Sequence, residues 1–318
     1  KEDFAKKYDV TFESFGEPEG ESRDDHVKQA VSMFKTVFSV MNNNIDLVNY
    51  LSDRLINLGN SVPKQIRECT VNTEKESKYQ KLFNIDHLPD NIFVSPGTKA
   101  PNRMGFSKYA SYINSITEQK YGRPLILAMS ADLSDSTNIS GFAKGYGGAR
   151  DKGFYEKKSN TKSPLFPQGI TEFTNAGMMA GAATVNFSAK PYESFSGFYG
   201  AISTYGSFSY LKYGPLRLFS QLAQDSELKV GKIIWVVGHS GPETAEDSRT
   251  HYGIFAPGVT QLFPNGSIIN IHPWEHNEVA PSLTAALKTA VPIVAIHLTR
   301  PSIVIPDREK MGIANHLD

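Results

Sequence analysis

A chain of 318 residues is long enough for a sizeable core and two structural units. Lys+Arg and Asp+Glu both total 33, so the formal charge is zero, which removes the electrostatic case for a nucleic-acid partner or an anionic membrane surface. No apolar run approaches the roughly 18 residues of a membrane span and no signal-peptide pattern opens the chain, while a single cysteine fits a reducing cytosol, so a cytoplasmic protein is expected.

In chain order, the start at Lys1 rather than Met reads as a trimmed product or a fragment. The acidic, turn-rich stretch 15–21 reads as linker. Val27, Val31, Phe34, Phe38, Met41, Ile45, Val48, Leu51, Leu55 and Leu58 then recur every three or four residues, the spacing of an amphipathic helix. Asp24 or Asp25 is the expected cap, Asn42-Asn43-Asn44 the expected interruption and Gly59 the expected stop. Residues 60–95 are polar with weak periodicity. They hold the lone cysteine, Cys69, which excludes internal disulfides and multi-cysteine metal sites. No base or glycine elbow stands near it, so a nucleophilic role is not expected. Residues 1–95 are therefore read as helical scaffold without chemistry.

From residue 96 the pattern alternates. Strands are predicted at 125–133, 195–203, 233–238, 267–271 and 293–298, and helices at 107–120, 174–185, 214–225 and 277–289. That order predicts an α/β domain over 96–318, a mostly parallel sheet with helices on both faces. The run Lys232-Ile-Ile-Trp-Val-Val-Gly238 is apolar on both faces and too short for a helix, as a buried parallel strand should be. The glycine-rich stretch 141–153 carries no GxxxxGK[ST] and no GxGxxG between strand and helix, so neither a phosphate loop nor a dinucleotide site is supported.

In an open α/β sheet ligands gather at the carboxyl ends of the strands. Four segments belong there: Ser130 to Asn138, Gly169 to Gly177, Thr204 to Leu211, and His239 to His251. Each has an ordinary reading. A glutamate in a first helical turn, as Glu172 is, stabilises the helix dipole. Tyr205, Phe208 and Tyr210 serve equally as core, Asp132 as a turn cap, and the histidines as incidental residues of a surface loop.

Together, and in this order, they resemble the pyrimidine-binding domain of the transketolase family. Ser130-Ala131-Asp132-Leu133 followed by Ser136 is similar to the family's S-A-D-L-x-x-S stretch, and Gly169-Ile170-Thr171-Glu172 to its G-I-x-E. Trp235-Val236-Val237-Gly238-His239, then Glu246-Asp247 and Thr250-His251, keep the spacing of its W-V-x-x-H, E-D and T-H elements. Thr299-Arg300 matches a strand-ending arginine. The resemblance covers about residues 100–318.

The resemblance implies thiamine diphosphate as cofactor and transfer of a two-carbon ketol unit between sugar phosphates. It makes Glu172 the carboxyl that faces N1′ of the aminopyrimidine. Glu172, His239, Asp247 and His251 become the catalytic set. Asp132, Tyr205, Phe208, Tyr210 and Leu211 fall at cofactor-binding positions. Leu211 stands where the family has its third aromatic, with Tyr210 one residue earlier. Arg103, Ser136 and Arg300, with His239, Asp247 and His251, fall at substrate-binding positions; a guanidinium suits a phosphate better than an ammonium does. Ser240 replaces the aspartate that commonly follows the first histidine, and Pro167-Gln168 stand where the family often has an arginine.

The family holds the cofactor diphosphate through Mg²⁺ on a separate domain with a Gly-Asp-Gly element, and no Gly-Asp-Gly occurs in this chain. The metal ligands are thus expected outside it. Residues 1–95 would be the tail or linker of that preceding domain, and the partners would be a diphosphate-binding domain or subunit and a second copy in a homodimer. Two other readings stand beside this one: a pyruvate-dehydrogenase-like thiamine component, and a non-catalytic dimerisation module. The Asp247/His251 pair and Arg300 favour sugar over 2-oxo acid.

Overall fold

The computed structural model describes residues 2–12, 22–61, 79–131, 133–147, 153–241, 248, 251, 253 and 256–317. Cys69, Asp132, Glu246, Asp247 and Thr250, with the linker at 15–21 and part of the glycine-rich stretch, lie outside the described residues. The chain divides into two compact units, 1–69 and 70–318.

The first unit is helical: α1 (Glu2–Tyr8), α2 (Arg23–Asn43) and α3 (Ile45–Ser61). The cap of α2 is Ser22, two residues ahead of the first of the expected aspartates; its hydroxyl accepts from the Asp25 amide at 3.2 Å. A serine in extended backbone at that position satisfies a donor that no turn of helix can. The asparagine run does break the tract. Asn44 leaves the helical conformation and its side-chain oxygen accepts from the Leu47 amide at 2.9 Å, so one residue ends α2 and starts α3. Gly59 does not stop α3. A glycine ends a helix by turning left-handed, and Gly59 has no positive φ.

The second unit opens with α4 (Tyr79–Leu82), then β1 (Lys99–Ala100), α5 (Asn102–Tyr121), β2 (Ile126–Ser130), β3 (Leu165–Phe166), α6 (Glu172–Thr184) and β4 (Tyr199–Tyr205). It continues with α7 (Tyr213–Asp225), β5 (Ile233–Gly238), α8 (Ala256–Thr260), β6 (Ile268–Ile271), α9 (His276–Lys288), β7 (Ile293–His297), β8 (Ile303–Val304) and α10 (Arg308–Met311). Six strands form a wholly parallel sheet in the order β3-β2-β4-β5-β7-β6, and β1 pairs antiparallel with β8 apart from it.

Side chains alternate across this sheet, and both faces are apolar. Ile126, Ala128, Ala201, Ile234, Val236, Val294 and Ile296 face one core with α5, α9 and the 3₁₀ turn at 139–143. Met129, Ile202, Ile233, Trp235, Val237, Ile293 and Ala295 face the other, with α6, α7, α8 and Phe263. That is why the strands read as continuous apolar runs. Tyr79, Leu82, Phe83 and Ile92 join the first core, so this unit packs residues upstream of the change in sequence pattern at 95.

The chain leaves β2 toward β3 at one edge and returns past β2 to β4, reversing direction between β2 and β4. A crevice belongs at the carboxyl ends of two strands that diverge in this way.

Candidate functional site

The carboxyl ends of β2, β4, β5 and β7 deliver the candidate residues to one edge. At the head of α6, Glu172 is 5 % exposed and its Oε1 accepts from the Thr204 hydroxyl of β4 at 2.9 Å. The other carboxyl oxygen stays outside that bond. Placement at a helix N-terminus offsets part of the cost of burying a carboxylate there.

Tyr205, the last residue of β4, is the hub. Its hydroxyl lies 3.1 Å from the Ser136 hydroxyl of the loop after β2. Its ring sits 4.1 Å from the His239 ring and 5.0 Å from the His251 ring, centroid to centroid. Phe208 meets His251 edge-on at 5.9 Å. Arg103, from the first turn of α5, donates to the Ser136 carbonyl at 3.0 Å and stands 3.1 Å from His239 Nε2. That nitrogen is also 3.1 Å from the Ser136 carbonyl. It can serve one neighbour at a time: with a lone pair it accepts from Arg103, and with a proton it donates to Ser136.

Backbone geometry fixes this cluster. His239 is buried with φ of 51°, a left-handed turn at the end of β5 that a histidine tolerates better than a branched residue. Gly238 lets Thr137 approach, since a Cβ there would meet Thr137 Cγ2 at 2.8 Å. At Gly253 a Cβ would meet the Ser207 amide nitrogen at 3.0 Å, so backbone alone joins the loop after β5 to the turn after β4.

Arg103, Ser136, Tyr205, Phe208, His239 and His251 thus come together around one ring, with Glu172 alongside through Thr204. Arg300 lies just past β7 on the same edge, half-buried, and the Ser240 amide donates to the Leu298 carbonyl beside it. Tyr210 and Leu211 are exposed and do not enter the ring cluster. Asp132 and Asp247 lie outside the described residues.

Sequence reasoning missed two side chains. Lys212, at the end of the 3₁₀ turn at 206–212, is fully buried, and its Nζ has no hydrogen-bond partner among the described residues. Burial pushes its pKa well below the ordinary lysine range, and the Glu172 carboxylate pulls the other way. Asn175, one helical turn beyond Glu172, is buried with neither amide atom bonded. A lysine in a turn carries no sequence signal of burial. The i, i+3 spacing from Glu172 was the available hint for Asn175.

The pyrimidine end of a thiamine fits the chemistry of these residues: a buried carboxyl with one oxygen uncommitted to Thr204, and aromatic rings at the carboxyl end of the same sheet. A magnesium site does not, because no group of three metal-ligating side chains assembles among the described residues.

An α/β domain with a polar-aromatic cluster at its topological switch point defines a class of ligand-binding domains. Within that class, residues 113–304, more than half of the chain, match the family described as "Transketolase, pyrimidine binding domain", and the chain belongs to that family. Family membership implies thiamine diphosphate as cofactor. Among solved structures, the chain is similar to a transketolase from Campylobacter jejuni subsp. jejuni NCTC 11168, at 17% identity and a TM-score of 0.48, over 73% of this chain and 31% of that one. It is also similar to a split gene transketolase described as an inactive beta4 tetramer, at 19% identity and a TM-score of 0.39, over 65% of this chain and 53% of that one. The chain therefore spans about a third and about half of the length of these two proteins. No curated protein matches it.

Proposed function

We propose that this chain is the pyrimidine-binding part of a transferase that moves a two-carbon ketol unit from a ketose phosphate to an aldose phosphate. The observation that carries this reading is Glu172: a buried carboxyl at a helix head, anchored by Thr204, the residue that precedes Tyr205 of the His239–Arg103–Ser136 cluster. Thiamine diphosphate, when bound, supplies the nucleophilic carbon and the electron sink. The protein's share is proton control and orientation. Glu172 holds a proton at N1′ of the aminopyrimidine, which sets the ring's tautomer. Tyr205 and Phe208 pack the ring. Asp132, Tyr210 and Leu211 are assigned to the cofactor by the family resemblance alone.

On the substrate side, His239, Asp247 and His251 take the sugar hydroxyls, while Arg103, Ser136 and Arg300 take the phosphate. A guanidinium pair with a hydroxyl recognises a phosphate dianion by charge and by fork geometry. The Mg²⁺ ligands and the diphosphate site are assigned to a separate domain or subunit, and residues 1–95 to its tail or linker. A homodimer is the assembly in which the cofactor would be enclosed.

The decisive experiment is exchange of the thiazolium-carbon proton into deuterium oxide, in the complete enzyme and its Glu172→Gln variant. The amide has no acidic proton to place at N1′, and loss of acid–base assistance costs about a hundredfold or more. Exchange at the parent rate would remove Glu172 from the chemistry. Release of carbon dioxide from pyruvate by the parent enzyme would replace ketol transfer with the 2-oxo-acid reading.

A further inference from the structure

Helices α2 and α3 leave an apolar stripe in water. Val27, Phe34, Phe38, Ile45 and Leu55 are all exposed, Ile45 at 68% and Leu55 at 69%, and α3 buries none of its residues. A helix in water owes most of its stability to the packing of its apolar face, so this stripe needs a cover. Its spacing says of what kind. From Val27 through Val31, Phe34, Phe38, Met41 and Ile45 to Val48 the steps alternate between four residues and three, and Leu55 lies one further heptad beyond Val48. An apolar repeat of about 3.5 residues keeps one seam facing a second helix wound alongside.

Charge says which helix. Lys28 and Lys35 stand one heptad apart on α2, Asp46 and Asp53 one heptad apart on α3, and all four are exposed. Lys28 and Asp53 lie equally far on either side of a midpoint between Val40 and Met41, and Lys35 and Asp46 flank the same midpoint. With Val31, Phe38 and Ile45 at heptad position a and Val27, Phe34, Met41 and Val48 at d, the lysines fall at e and the aspartates at b, on one side of the seam. A two-fold contact is self-complementary: where residue i meets j of the second copy, j meets i. An antiparallel pair satisfies that here. It sets Lys28 by Asp53 and Lys35 by Asp46 of the second copy, twice over, and Val27 by Leu55, Val31 by Leu51 and Phe34 by Val48 along the seam. A parallel pair would set lysine against lysine and aspartate against aspartate, and a helix of another protein would call for no mirrored charge within this one.

We propose that α2 and α3 form an interface between two copies of this chain, an antiparallel coiled coil centred near Met41 in which α2 of each copy lies along α3 of the other. The contact belongs to the first compact unit, requires neither cofactor nor turnover, and is independent of the function proposed above.

The test is sedimentation velocity of this 318-residue chain across a range of concentrations, with Phe173→Asp in every sample so that the exposed head of α6 contributes nothing. A dimer should remain. Lys28→Glu with Lys35→Glu should weaken it about tenfold, because four modest attractions become repulsions. Adding Asp46→Lys and Asp53→Lys to the same chain should restore the parent dissociation constant, since the complementarity returns with its signs exchanged. All four positions are exposed, so these variants leave the packing within the chain untouched. Orientation is read by disulfide cross-linking in a Cys69→Ser background. Met41→Cys should cross-link to itself, and Val27→Cys only when mixed with Leu55→Cys. A monomer at every concentration, a dissociation constant indifferent to reversal of the lysines, or a fourfold variant no tighter than the double one overturns the proposal. Self-cross-linking of Val27→Cys, the mark of a parallel pair, also overturns it.

Discussion

His297 closes β7 with its ring buried and stacked on His272 at 4.1 Å, and the Thr260 hydroxyl lies 3.4 Å from its Nε2. Burial, and then the neighbouring His272, push its pKa down to about 3. An unfolded chain would protonate this histidine near 6.5. Between those values the unfolded state binds the extra proton, so stability is present above pH 6.5 and is lost as pH falls toward 3. From pH 7 to pH 5 this one group should cost about 2 kcal/mol. His297→Asn, which keeps a polar group without a titrating one, should show a correspondingly shallower loss in denaturant unfolding over that interval. Equal slopes for parent and variant would mean that the ring does not titrate as its burial demands. His297, Lys212 and Asn175 share one reason for escaping notice in the sequence: a polar residue is recognised as buried only after distant elements have closed over it. The Glu172 and His239 motifs were legible because their spacing is local and their strands are apolar.

Helix α5 crosses α9 so closely at Gly105 that a Cβ there would meet the His276 carbonyl oxygen at 2.5 Å. Gly105→Ala should push the two helices apart and cost about 1–3 kcal/mol, the usual penalty of overpacking. Arg103 lies two residues earlier on α5, so the variant should also weaken its reach to Ser136 and His239. Gly181 in α6 gives the opposite sign: no atom lies within 4 Å of a Cβ there and the backbone is helical. Gly181→Ala should stabilise the chain by about 0.5–1 kcal/mol through the unfolded state. Thermal unfolding of both variants checks the pair, and a shared sign would show the crossing geometry to be wrong. Long periodic elements such as α2, α3, α5 and α9 were readable from spacing because each has many turns to average over. β1, β3 and β8, two residues each, have no period to read and exist through tertiary pairing alone. The expected strand at 195–203 begins instead at Tyr199, because Phe195 is spent packing on the first core rather than pairing.

At the scale of the whole molecule the surface beside Glu172 is incomplete. Ile170 is 78% exposed and Phe173 64%, with Met178 on α6, Tyr210 and Leu211 on the turn after β4, and Leu218 on α7 also exposed. Apolar side chains gathered at a ligand edge mark a face that another protein surface covers. The sequence could show the apolar residues but not that helix α6 turns several of them outward. Phe173→Asp should therefore lower any self-association of the chain while leaving its unfolding temperature nearly unchanged, because the side chain contributes little to this fold's own core. Sedimentation velocity across a range of concentrations measures the first and calorimetry the second; association untouched by the charge would move the covering surface elsewhere. The same incompleteness bears on the cofactor. A pyrimidine contact without a diphosphate anchor offers a few apolar contacts and one carboxyl against the full cost of immobilising a charged ligand. Thiamine diphosphate with Mg²⁺ should bind the isolated chain weaker than about millimolar, near −4 kcal/mol, and should tighten by orders of magnitude once a diphosphate-binding domain is supplied. Isothermal titration of the chain alone and of the mixture decides this, and micromolar, Mg²⁺-dependent binding by the chain alone would place the whole cofactor site within these 318 residues.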